Sequence, residues 1–213
     1  HARGEWIAFL DDDDVCAPEK LARQLARARA TGAPLVLCGM RYHTCGGRRR
    51  VRQGAAPEFR GAELLLKAQA ASQAIFHRRA HGVRFTACVP AEDADYYHQL
   101  VRHFGIDVVP NVPAPLVEIF QQPAPARLNA DPDRVWRAHR AVWARHASRY
   151  GRPALRLAGA RALFLRAWLG GGSPRLQAKA ARWLWRLGGS AELRFMLNVV
   201  LRRVPGLRRL LSV

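Results

Sequence analysis

Four consecutive carboxylates, Asp11-Asp12-Asp13-Asp14, follow directly on the apolar run Trp6 to Leu10. A short apolar run that ends in acid reads as a buried strand delivering side chains at its C-terminal edge. So many like charges repel one another, and a cation is what relieves the repulsion. Mg2+ or Mn2+ suits such a group, because hard oxygen donors and substrate phosphates hold it. In an extended segment, successive side chains alternate, which predicts Asp11 and Asp13 on one side and Asp12 and Asp14 on the other. The competing reading is a solvated acidic turn in which Asp14 caps the next helix. The strand ahead of the run favours a site, and so does the basic chain around it: 35 Lys and Arg stand against 16 Asp and Glu, a net +19 over 213 residues.

The pattern around this run predicts an α/β sheet domain. Pro18 is placed to open a helix, with Leu21, Leu25 and Ala28 at helical spacing up to Thr31-Gly32. Pro34 to Met40 reads as a second buried strand. A turn and a basic strand are expected over Cys45 to Arg52, a short helix over Gly61 to Gln69 and a strand over Gln73 to Arg78. Glu92 to Phe104 reads as a helix with Tyr96, Leu100 and Phe104 on one face. Ile106 to Val109 reads as a strand, followed by a loop punctuated by Pro110, Pro113 and Pro115. Leu116 to Phe120 is expected as a last edge strand. The domain limits that follow are 1–122 for the sheet domain, 123–133 for a proline-bearing linker and 134–213 for basic amphipathic helices. From Arg134 onward there are 17 Arg and one Lys against a single acid, Glu192, with five of the six Trp. Helices of that kind can rest on an anionic membrane surface.

The residues Ala2-Arg3-Gly4-Glu5-Trp6-Ile7-Ala8-Phe9-Leu10-Asp11-Asp12-Asp13-Asp14, with Pro18, Lys20 and Leu21 after them, resemble the central segment of family 2 glycosyltransferases of the GT-A fold. Members carry A-R-G-x-[YW]-[IL]-x-F-L-D-x-D-D followed by W-x-P-x-K-L; Cys16 stands where an aromatic is usual. The resemblance implies a partial GT-A, Rossmann-like mixed sheet with flanking helices, followed by the basic helical region. It also implies that Asp11 and Asp13 are the two acids of a DxD motif, with Asp13 the principal metal ligand and Asp11 and Asp12 near the ribose and diphosphate of a nucleotide-sugar. Further on, Glu92-Asp93-Ala94-Asp95-Tyr96 resembles the family's E-D-x-[DE]-[LFY] element. That makes Asp93 the expected base toward the acceptor hydroxyl, with Glu92 assisting; first-turn acids are also ordinary helix-dipole partners. The strand ending in Arg78 resembles a family strand that ends in arginine, which makes Arg78 a candidate for diphosphate or acceptor contact. His77, His98 and His103 show no ligand spacing and are expected to be structural or solvent-facing.

The resemblance implies inverting transfer to a glycan or lipid-linked acceptor, in envelope polysaccharide or glycolipid synthesis. The expected location is the cytoplasm, with docking at the inner face of the membrane. Neither the P-x-[YF]-N strand nor the D-D-[GA]-S element of the family occurs here. The expectation is therefore a piece of a longer protein that keeps the metal and catalytic half of the site and has little activity alone. Two other readings are kept in view. One is a phosphatase-like hydrolase on Asp11, since Asp11 to Val15 matches D-x-D-x-[TV]. The other is a basic nucleic-acid binder, although no helix-turn-helix, zinc-finger or RNP signature is present and no specific nucleic-acid partner is expected. The four cysteines have no CxxC spacing, which excludes a zinc ribbon or a thioredoxin-like motif and fits a reduced compartment. No signal peptide and no spanning helix are expected.

Overall fold

The structure, a computed structural model, describes residues 2–43, 49–52, 56–60, 63–64, 71–87, 90–120, 132–169 and 173–201. Its strands are β1 (Trp6–Ala8), β2 (Val15–Cys16), β3 (Leu35–His43), β4 (Arg49–Arg52), β5 (Glu58–Arg60), β6 (Phe76–Arg78) and β7 (Val108–Phe120). They form one mixed sheet in the order β1-β6-β3-β7-β2, with β4 paired to β3 and β5 to β7. β3 and β7 run parallel, and the remaining pairs are antiparallel. In β3 the side chains of Leu35, Val36, Leu37, Cys38 and Met40 are all fully buried. An unbroken apolar run is what a strand covered on both faces requires. Each such side chain contributes roughly 1.5–3 kcal/mol of burial. Burial also pushes the Cys38 thiol up to about 12, so it behaves as a core residue.

The helix α1 (Lys20–Thr31) packs on β3 and β7 and ends at Gly32, whose φ of 65° is left-handed. Its buried face differs from the expected leucine stripe. Lys20, Gln24 and Ala28 are buried, while Leu21 is 54% exposed. The helix begins at Lys20, after a turn whose Ala17 N–H bonds the Leu116 carbonyl. Its rotation is fixed by Gln24, whose Nε2 donates to the carbonyls of Val36 (3.4 Å) and Ala74 (3.0 Å). The polar tie, rather than the apolar spacing, decides which face turns inward.

The long strand β7 corrects a second expectation. Pro110, Pro113 and Pro115 lie inside one strand, and its Leu116–Phe120 part sits between β3 and β2 instead of at an edge. Proline cannot donate to a ladder and is tolerated where pairing is irregular. The register between β3 and β7 slips there: Cys38 faces Val112, Gly39 faces Pro115 and Met40 faces Val117. The bulge leaves Pro113 and Ala114 out of the ladder. The expected turn at Cys45 and most of the expected helix at 61–69 lie outside the described residues.

The helix α2 (Glu92–His103) carries Glu92, Asp93 and Asp95 in its first turn and buries Ala94, Tyr96, Tyr97, Leu100 and Val101. Next comes α3 (Pro132–Leu169), which is interrupted at Gly151 (φ 71°, ψ 163°) just ahead of Pro153. The last helix is α4 (Pro174–Leu201). The chain divides into two compact units, His1–Arg149 and Tyr150–Val213. The sequence places a linker at 123–133, most of which lies outside the described residues; the two compact units divide at Arg149–Tyr150, beside the Gly151 break. The reason is packing. Ala138 and Val142 of α3 pack against Ala91 and Ala94 of the sheet unit, and Arg149 donates to the Ile106 carbonyl and to Asp107 (both 2.8 Å). In the second unit Ala160, Phe164 and Ala167 pack against Ala180, Leu184 and Met196. Among the described residues no helix is long and apolar enough to cross a membrane.

Candidate active site

After β1 the chain continues through Phe9 and Leu10 to the acids, where it turns. The Asp14 N–H bonds the Asp11 carbonyl at 3.3 Å. This turn removes the alternation expected of an extended run. Asp11, Asp13 and Asp14 each bring a carboxylate oxygen within 4.8 Å of the others, and Asp12 is exposed at the turn. Asp14, 9% exposed, joins Asp11 and Asp13, although the sequence pattern assigns it no ligand role. It does not cap α1, whose N-terminal flanking residue is Glu19 with no side-chain cap. Instead its Oδ1 accepts from the Phe120 N–H (3.1 Å) and its Oδ2 from Gln73 Nε2 (2.6 Å). The same Gln73 amide also donates to Asp11 Oδ2.

This arrangement holds negative charge under tension. Partial burial pushes the Asp11 carboxyl above the usual carboxylate range, and the charges of Asp13, Asp12 and Glu92 push further. Burial also raises Asp14, with Asp13 and Asp11 adding to it, and the Phe120 N–H and Gln73 only partly offset this. Three converging carboxylates with uncompensated repulsion fit a hard divalent cation.

The second acidic element comes to the same place. Burial pushes the Asp93 carboxyl up to about 6, aided by the charges of Glu92 and Asp11, while the Ser72 N–H and hydroxyl hydrogen-bond it and pull it back. Glu92 is half-buried, and its Oε2 has no hydrogen-bond partner among the described residues. A carboxyl titrating near 6 is ionised at neutral pH yet basic enough to take a proton.

The bracket joining the two elements is the 3-10 turn Ser72–Ala74 ahead of β6, where the sequence led us to expect the start of a strand. Ser72 bonds Asp93, Gln73 bonds Asp11 and Asp14, and the Ala74 carbonyl accepts from Gln24. Ser72 and Gln73 were not singled out from the sequence. The available signal was a polar Ser-Gln pair opening the apolar run Ala74-Ile75-Phe76.

Arg78 goes elsewhere. It pairs with Glu5 at 3.1 Å and lies over the Trp6 ring, 5.9 Å from the ring centroid. The β1–β6 register sets Trp6 opposite Arg78 and Ala8 opposite Phe76. Arg78 therefore sits at the end of this strand pair away from Asp11, and the structure does not bring it to the acids. His77 is buried and bonds the Tyr96 hydroxyl (3.0 Å); burial lowers its pKa. His98 is also buried, and its pKa falls to about 3, from burial first and then the neighbouring His146. His103 is exposed.

Two residues beyond Asp93, the fully buried Asp95 anchors α2. It accepts from Thr86 (2.6 Å), Gln99 (2.8 Å), Arg145 (2.8 Å) and His146 (2.9 Å). Burial opposes its charge, but these bonds and the Arg145 charge outweigh that and hold it below the usual range.

The fold and this site define a mixed α/β domain with a carboxylate turn at a strand end and an acidic helix start beside it. Residues 1–88, which include the turn and the Ser72–Ala74 bracket, match the family described as Glycosyl transferase family 2. A curated relative, the succinoglycan biosynthesis protein ExoO of Rhizobium meliloti (strain 1021), is 36% identical over 75 residues. That stretch covers 35% of this chain and 22% of the relative, so the similarity spans about a fifth of that protein's length. The S. aureus TarS 1-349 crystal structure is similar with a TM-score of 0.48 at 15% identity, covering 96% of this chain and 57% of that one.

Proposed function

We propose that the site moves a sugar from a nucleotide-sugar donor to a hydroxyl of a glycan or lipid-linked acceptor, in envelope polysaccharide or glycolipid synthesis at the inner face of the membrane. The family match over residues 1–88 and the similarity to a succinoglycan biosynthesis protein support this reading. The observation that carries it is the Asp93 carboxyl, distant in sequence from Asp11 yet charge-coupled to it and pushed up to about 6. Asp93 acts as base and takes the proton of the attacking hydroxyl. Glu92, with one buried oxygen unpartnered, orients that hydroxyl. Asp11, Asp13 and Asp14 would hold Mg2+ or Mn2+, with Asp12 near the ribose and diphosphate. A divalent ion there would neutralise charge on the departing nucleoside diphosphate. A single base on the acceptor side fits inversion at the transferred carbon. The two compact units, rather than a boundary at 123–133, are the division we propose between catalytic and accessory parts. The hydrolase reading is less favoured, because the segment that carries Asp11 matches a glycosyl transferase family.

The test is Mn2+ binding by electron paramagnetic resonance, with and without UDP or GDP. One bound Mn2+ is expected, lost in Asp13→Asn and in Asp11→Asn and tightened by nucleoside diphosphate. Binding that neither substitution changes would reject the assignment.

A further inference from the structure

The second unit carries a groove of about 850 Å3 lined by Leu163 of α3 and by Arg175, Ala178, Lys179, Arg182, Trp183 and Arg186 of α4. At 100° per residue the four cations fall within roughly 60° of arc, a single stripe along the helix. The opposite side of α4 is committed, since Ala180 and Leu184 pack against Ala160, Phe164 and Ala167. Trp183 and Leu176 flank the stripe on one side and Trp185 on the other. All three are exposed, at 44%, 37% and 46%. No ion pair is made by Arg175, Lys179, Arg182 or Arg186 among the described residues, and no acid lines the groove.

Four free cations in a row ask for several negative charges at once. Exposed tryptophans and a leucine on both flanks ask for an apolar environment beside those charges. A bilayer surface with anionic headgroups supplies the two together: phosphates for the arginines and the headgroup boundary for the indoles. A nucleic-acid backbone would meet the cations, but it gives Leu176 and Leu163 nothing to bury against. We infer that the Arg175–Lys179–Arg182–Arg186 stripe, with Trp183 and Trp185, is a docking face for an anionic phospholipid bilayer. This face stands apart from the transfer chemistry, so either can fail without the other.

The experiment is vesicle flotation with the full chain. Vesicles of phosphatidylcholine alone are compared with vesicles containing phosphatidylglycerol at about 30%, each at low and at physiological salt. The chain floats with the anionic vesicles, and its binding weakens as salt rises. Arg182→Gln with Arg186→Gln weakens binding about 30-fold, the effect of two cations near such a surface. Trp183→Ala weakens it further and reduces quenching by brominated lipid, with Trp185 supplying the remainder. All three side chains are exposed, and circular dichroism checks that the variants keep their fold. Three results would overturn the inference: no flotation at low salt, flotation equal on neutral vesicles and unchanged in the double variant, or tighter binding to duplex DNA than to anionic vesicles.

Discussion

Replacing Asp95 with alanine tests whether the first half of α3 belongs to the sheet unit. The carboxylate is fully buried and collects four donors, two of them, Arg145 and His146, from α3. The four do not lose equally. The Arg145 side chain is 46% exposed and regains water, whereas the His146 side chain is only 3% exposed and would be stranded. Thr86 and Gln99 are part-buried and recover in part. Hydrogen bonds to a charged group contribute about 1.5–3 kcal/mol each but not additively, and breaking a buried pair costs about 3–5 kcal/mol. The expected loss for Asp95→Ala is therefore about 3–5 kcal/mol at pH 7, read from urea unfolding followed by circular dichroism. Asp95→Asn keeps one acceptor and costs less, while Arg145→Ala alone costs under about 1 kcal/mol. Because the folded Asp95 carboxyl is depressed, its contribution is present above about pH 4 and lost as pH falls through the folded value. An Asp95→Ala loss below about 1 kcal/mol would show that Asp95 does not tie α3 to the sheet unit.

Two further outcomes follow from the site. Gln73→Leu removes the one amide shared by Asp11 and Asp14; Mn2+ affinity should fall about 10- to 100-fold, as for other residues that orient metal ligands, while unchanged affinity in a folded variant would show that Gln73 does not orient the acids. The raised Asp93 carboxyl, at about 6 instead of 3.8, stabilises the folded chain relative to higher pH only while protonated, so about 3 kcal/mol is lost as pH rises from below 4 through 6. Asp93→Asn should therefore be more stable than the wild type at pH 7 by up to that amount and equal to it near pH 3.5, which paired urea titrations at the two pH values check.

Much of the fold could be read from local pattern. The β3 run Leu35 to Met40 is apolar throughout because both its faces are covered, and such a run announces itself. The acidic start of α2 was equally plain. What escaped the reading depended on partners far away in the chain. The rotation of α1 is set by Gln24 reaching Val36 and Ala74, and no periodicity encodes that. The prolines of β7 read as loop because the register slip that accommodates them belongs to the pairing with β3. At the candidate site, residue type and motif point to Asp11, Asp13, Glu92 and Asp93, and the fold brings these acids near one another. Asp14 was missed as a site residue because the run was taken as extended, where alternation turns it away from Asp11. Gln73 and Ser72 carry no charge, and only the tertiary structure brings them to the acids. Arg78 is a candidate through the resemblance of its strand to one that ends in arginine, and in the structure it lies against Glu5 and Trp6.

The central claim is that the carboxylate turn and Asp93 form one sugar-transfer site. Its most direct test is release of nucleoside diphosphate from a panel of nucleotide-sugars by the protein, wild type against Asp93→Asn. Release is expected to depend on Mg2+ or Mn2+, with kcat/KM levelling above about pH 6 and falling roughly 10²- to 10⁴-fold in the variant. Undiminished release by Asp93→Asn, with the same cation dependence, would contradict it.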